Sequence, residues 1–181
     1  MLFRSLTDEK NSLTVNLVPF RNGMADTLHA DQLLNNGIYE VMEGDSAVLR
    51  IKNNGRQAVF FNVLDLQPNG VINLMLPNKK LNVYPEDLKI RGGETLILDK
   101  YVFGFSPPHG TEVFKVFSSH TELDLEELVT TQGRGGRGNY TFIEKLIKNT
   151  FQQNVRRGSV TKAGSPDGTA SSLIIIIKSR L

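Results

Sequence analysis

A chain of 181 residues has room for one domain with a sizeable hydrophobic core. Its formal charge of +2 is too small to argue for a nucleic-acid partner. It contains no cysteine, which excludes disulfides, thiolate metal sites and a thiol nucleophile of its own, and fits a reducing compartment such as the cytoplasm.

The opening "MLFRSLTDEK" has no apolar signal-peptide core, so any signal peptide would lie upstream. Leu2-Phe3-Arg4-Ser5 is what a common sequencing adapter encodes when read in frame. Residues 1–11 are therefore read as a tail and residues 1–5 as an assembly scar, with the natural protein continuing upstream.

Strand patterns follow. "SLTVNLVPF" alternates Leu13, Val15 and Leu17 with Thr14 and Asn16, the period of a half-buried strand, ending at Pro19. Met24 to Leu34 is mixed, with room for a helical turn. "GIYEVMEGDSAVLRIKNNG" predicts two strands about a Glu43-Gly44-Asp45 turn, with Ala47, Leu49 and Ile51 on one face. "QAVFFNVLDLQPNGVINLMLPN" is the clearest hairpin. Val59, Phe61 and Val63 line one face of its first strand, and Phe60, Leu64 and Leu66 line the other, as in a central strand covered on both sides. Pro68-Asn69-Gly70 supplies the turn, because proline presets φ and Asn-Gly accepts positive φ.

"DLKIRGGETLILDK" reads as two short strands about Gly92-Gly93. "YVFGFSPP" and "GTEVFKVFSS" read as two more, divided by Pro107-Pro108-His109-Gly110. Beyond Leu123 the pattern changes. "ELDLEEL" predicts a short helical piece, residues 131–139 a Gly/Arg-rich loop, and residues 141–153 a helix with capping-box spacing at Thr141 and Glu144. Residues 156–172 have linker composition. "LIIIIK" predicts a buried strand returning to the sheet, with pairing to another chain as its functional alternative. That run, Leu173 to Ile177, is the longest apolar stretch, so no membrane span is expected.

Candidate chemistry centres on "SPPHGTEVFKVFSSH", which holds two of the three histidines. His109-Gly110 is similar to the histidine motif of caspase-like peptidases, but that mechanism needs a cysteine thiolate. A serine triad from Ser106, Ser118 or Ser119 with a histidine lacks a G-x-S-x-G elbow. His109 is read as a turn residue and His120 as a strand end. His29, His109 and His120 lack helical zinc spacing, and Asp124, Glu126 and Glu127 lack EF-hand spacing, so no metal is expected. Arg134 and Arg137 of "GRGGRG" lack a P-loop ending and, even with Arg156 and Arg157, have no interleaved aromatics for base stacking. His109, Arg134 and Arg137 remain the candidate binding residues. No catalytic residue is assigned.

The order of the turn motifs carries a resemblance. Pro68 and Gly70 close one strand, Leu74, Pro77 and Asn78 form a Leu-x-x-Pro-Asn segment, and Pro108, Gly110 and Glu112 open another strand. Over residues 37–128 the chain resembles an uncharacterised bacterial domain found C-terminal to caspase-like (metacaspase) peptidases. The resemblance implies a non-catalytic domain without a cofactor, with an upstream peptidase domain as covalent partner and a role in positioning it or binding a protein or ligand.

The expectation is a mainly β fold, a sandwich of immunoglobulin-like or jelly-roll-like type, with one helix in the C-terminal half. It spans residues 12–181 as a single accessory domain. Two other readings stand beside it. One is a free-standing or exported carbohydrate- or envelope-binding module, which the absence of tryptophan disfavours. The other is a serine hydrolase using Ser106 or Ser118.

Overall fold

A computed structural model describes residues 13–123, 125 and 168–180. Strands β1 (Leu13–Arg21), β2 (Met24–Ala25), β3 (Leu34–Asn35), β4 (Ile38–Met42), β5 (Ser46–Asn53) and β6 (Val59–Leu66) are followed by β7 (Ile72–Leu76), β8 (Lys89–Ile90), β9 (Thr95–Ile97), β10 (Phe103–Gly104), β11 (Gly110–Ser119) and β12 (Gly168–Lys178). They form two sheets. The smaller runs β10-β5-β1-β2, with β9 also on β5; the larger runs β3-β4-β12-β11-β6-β7, with β8 on β6. The fold is mainly β and sandwich-like, as the alternating patterns predict.

One core joins the sheets. Leu17, Leu49 and Ile51 come from the smaller sheet, and Phe61, Val63, Phe114, Val116 and Ile175 from the larger; all lie in a single buried cluster. Each such side chain contributes roughly 1.5–3 kcal/mol by leaving water. The larger sheet is covered on its other face too: Leu64 and Phe117 pack there with Leu123 and Leu125. This explains why β6 is apolar on both faces.

The β6–β7 hairpin closes as predicted. Gly70 adopts φ 82°, its N–H donates to Gln67 O at 2.9 Å, and Asn69 Oδ1 accepts from Val71 N at 3.0 Å. The Met24–Leu34 stretch contains a 3-10 turn at Thr27–Leu33.

Three details differ from the sequence reading. β1 runs through Pro19 to Arg21, since proline sacrifices only its donor and Pro19 O still accepts from Asp26 N at 2.7 Å. The two short strands about Gly92-Gly93 form as predicted; β8 pairs with β6 and β9 with β5, so the turn carries the chain between sheets. A Cβ at Gly92 would strike the backbone of Arg56, which requires glycine there. In "YVFGFSPP" only Phe103–Gly104 is strand.

Finally, residues 168–172 are not linker. β12 begins at Gly168 and pairs along the whole of β11, Ser119↔Gly168 to Gly110↔Ile177, so the partner strand overrides loop-like composition. On its other edge β12 runs parallel to β4, with Ile175 opposite Tyr39. The predicted helix at 141–153, the "ELDLEEL" piece apart from Glu122, Leu123 and Leu125, and the loop at 131–139 lie outside the described residues.

Candidate functional site

Strand parity puts two acids where apolar residues are expected. On β6, Val59, Phe61 and Val63 face the shared core, and Asp65 is next in that series, only 4% exposed. On β11 the core-facing series is Glu112, Phe114 and Val116, with Glu112 9% exposed. Asp65 lies opposite Phe114 in the β6–β11 register, so the two carboxyls are diagonal neighbours on one face. They line a cavity of about 320 Å³ at one end of the core. Its walls include Met75, Val102, Phe103, Phe105, Pro107 and Phe114. Phe103 and Phe114 meet edge to face, centroids 5.5 Å apart, and so bring β10 against β11.

The oxygens of Asp65 are unequal. Oδ2 accepts from Gln67 Nε2 at 3.1 Å and Asn73 Nδ2 at 3.4 Å. Oδ1 is buried and accepts from no N–H group among the described residues. The Glu112 carboxyl lies against Asp65. Burial first, then the hydrogen bond and the charge of Asp65, push Glu112 from its ordinary 4.5 up to about 8. At neutral pH Glu112 therefore holds its proton and donates it to Asp65.

The turn motifs build the mouth of this cavity. Pro68 and Pro108 both line it. A Cβ at Gly110 would fall 3.3 Å from Pro68 Cβ, so the two turns are in contact although some forty residues separate them. Gly70 shapes the first turn. Pro77 and Asn78 stand apart from it: they line a second cavity, and Asn78 caps the Lys79–Leu81 turn by accepting from Lys80 N at 3.1 Å.

The histidines go to three separate places. His109 Nε2 lies 2.8 Å from Glu43 Oε2, with both side chains 39% exposed. His120 Nδ1 is 3.3 Å from Ala58 O. His29 Nδ1 is 2.8 Å from the carboxylate of Asp26. These partners are carboxylates and a carbonyl, not serine hydroxyls. Ser118 is buried, Ser119 hydrogen-bonds Thr121 O, and Ser106 lies at the cavity. Arg134 and Arg137 lie outside the described residues. Among the described residues, no group of three or more potential ligands could hold a metal ion. Nor is any helix there long and apolar enough to cross a membrane.

Sequence reasoning had Glu112 only as a strand-opening residue and passed over Asp65. The signal was parity: in "VFFNVLD" and "EVFKV" an acid occupies the core-facing register of a strand. No family model matches the chain, and no curated protein matches it.

Proposed function

We propose that the chain is a non-catalytic accessory domain of a larger caspase-like bacterial peptidase, which positions the peptidase or binds a partner. One observation carries the reading. Residues of two of the separate turn motifs on which the resemblance rests come together in space: Pro68 packs on Gly110, and Glu112 enters the cavity beside them. Such residues shape a scaffold and a pocket; the one His-Gly pair among them holds its histidine on Glu43 instead of on a nucleophile.

Reading the coding DNA upstream of residue 1 in the source sample tests the parentage. The expected result is an in-frame caspase-like domain with its own His-Gly pair and catalytic cysteine. A start codon with no upstream frame would move the reading to a free-standing binding module. Peptidase or esterase activity of the chain that disappears in His109→Ala would overturn the non-catalytic assignment.

A further inference from the structure

We infer that Asn22 and Asn36 are sites of spontaneous deamidation, and that the fold protects the chain's other two Asn-Gly pairs, Asn54-Gly55 and Asn69-Gly70. The inference is independent of the accessory role proposed above.

The chemistry needs only the chain and water. The main-chain nitrogen of the residue after asparagine loses its proton to hydroxide and attacks the side-chain Cγ. A C–N bond forms, the carboxamide nitrogen leaves as ammonia, and a five-membered succinimide results. Water then opens this ring at either carbonyl, giving aspartate or isoaspartate with no change of oxidation state. Glycine in the second position favours the attack, because it has no Cβ to crowd the nitrogen or restrict the backbone. All four pairs satisfy that rule, so sequence alone does not rank them. Their surroundings do.

Asn22 and Gly23 are the whole of the loop between β1 and β2, since Arg21 pairs with Met24. Asn36 and Gly37 do the same between β3 and β4, where Asn35 pairs with Ile38. Positive φ at both positions of each loop, 53° and 79°, then 50° and 82°, marks the two-residue turn that matches strand twist. All four residues are exposed. Among the described residues, neither carboxamide has a hydrogen-bond partner and neither glycine N–H donates to a carbonyl. The attack swings Cγ onto the glycine nitrogen, so the turn must open. β2 and β3 are each held by two residue pairs, which makes that opening local and cheap.

The other pairs are held twice over. Asn54 Nδ2 donates to Thr14 Oγ1 at 2.7 Å, and the buried Gly55 donates its N–H to Asn53 Oδ1 at 2.9 Å. Asn69 Oδ1 accepts from Val71 N at 3.0 Å, and Gly70 N donates to Gln67 O at 2.9 Å. In each pair the electrophile and the nucleophile must both give up a hydrogen bond first, which raises the barrier.

Aspartate at either site lowers the formal charge of +2 by one. Isoaspartate also adds a methylene to the main chain, which a two-residue turn cannot absorb without shifting the pairing beyond it. The two sites bracket the stretch that seats Ala30 against Val18 and Val48. Ageing should therefore loosen that stretch before the centre of either sheet.

Ageing the full chain in heavy-oxygen water at pH 6, 7 and 9, followed by peptide mapping with mass spectrometry, tests this. Each event adds one solvent oxygen, and chromatography separates isoaspartate from aspartate. Expected is conversion at Asn22 and Asn36 that speeds up with pH. Conversion at Asn54 and Asn69 should be about tenfold slower, a barrier difference of ~1.4 kcal/mol. In urea all four should convert at similar rates, which separates the fold's protection from intrinsic reactivity. Thr14→Val, at an exposed strand position, frees the Asn54 carboxamide and should raise conversion there by about two- to threefold, with Asn69 unchanged. The proposal is overturned if Asn22 and Asn36 persist in the folded chain while converting in urea, or if Asn54 or Asn69 keeps pace with them when folded. Conversion at one exposed turn alone overturns the assignment of the other, and an unchanged Asn54 in Thr14→Val overturns the cause assigned to its protection.

Discussion

His109 and Glu112 stand three residues apart at the start of β11, and each meets an acid from another strand or turn, yet the two pairs are physically opposite. His109 and Glu43 are 39% exposed on both sides, where water screens the attraction and ordering two side chains offsets much of it. Glu112 and Asp65 are 9% and 4% exposed, and there burial decides which form the acid adopts. The difference comes from parity: Glu112 shares the register of Phe114 and Val116, which points it into the core. A histidine draws the eye in a sequence, but here the glutamate beside it has the perturbed chemistry.

The largest expected effect follows from that burial. Glu112 titrates near 4.5 when unfolded and near 8 when folded, so between those values the folded chain binds more protons. The Glu112 contribution to stability is therefore fullest below pH 4.5 and is lost as pH rises through 8. Each unit of the window removes at most ~1.4 kcal/mol. Contact with solvent through the cavity reduces this by about half, to roughly 2 kcal/mol in all. Asp26 and Glu40 are both lowered, Asp26 by its hydrogen bond to His29 and Glu40 by that to Lys178, so their stabilisation is lost only below the window. Urea unfolding of wild type and Glu112→Gln between pH 5.5 and 8.5 should show a decline in wild type that the variant lacks. Equal slopes would mean that the pair is far wetter than its burial indicates.

Gly110, between the two pairs, should matter somewhat less. Its φ of 136° is a conformation L side chains rarely adopt, and a Cβ would press on Pro68 at 3.3 Å. Gly110→Ala should cost about 1–1.5 kcal/mol in urea unfolding. It should also disturb amide resonances around Pro68 and Glu112 more than those around β1. A cost near zero would show that contact between the turns does not fix the cavity mouth.

How much of this was legible depends on the range of the signal. The β6–β7 hairpin and the two-sided burial of β6 are local, written in alternating side chains and Pro-Asn-Gly, and both were readable. The return of "LIIIIK" to the sheet was readable from β-branched composition. Its parallel neighbour β4 was not, because Ile175↔Tyr39 joins residues more than a hundred apart. The crossing at Gly92-Gly93 escaped for a related reason: glycine pairs announce a turn but not which strands its flanks will meet. The Asp65–Glu112 pair is an intermediate case. Each acid is visible in an inward register, and the β6–β11 pairing that unites them is visible only in the fold.

The smallest effect belongs to the residue that first suggested catalysis. Removing the imidazole in His109→Ala breaks one 2.8 Å contact to an exposed glutamate and opens no cavity in the core. Surface pairs of this kind are worth well under 1 kcal/mol, so the change in unfolding free energy should stay within about 0.5 kcal/mol. Glu43→Gln should match it, since both variants delete the same contact. A loss several times larger in His109→Ala, with Glu43→Gln still neutral, would mean that the ring supports the Pro107–Gly110 turn through packing. The contrast between the two pairs would then weaken from its exposed side, because His109 would be helping to hold Glu112 at the cavity.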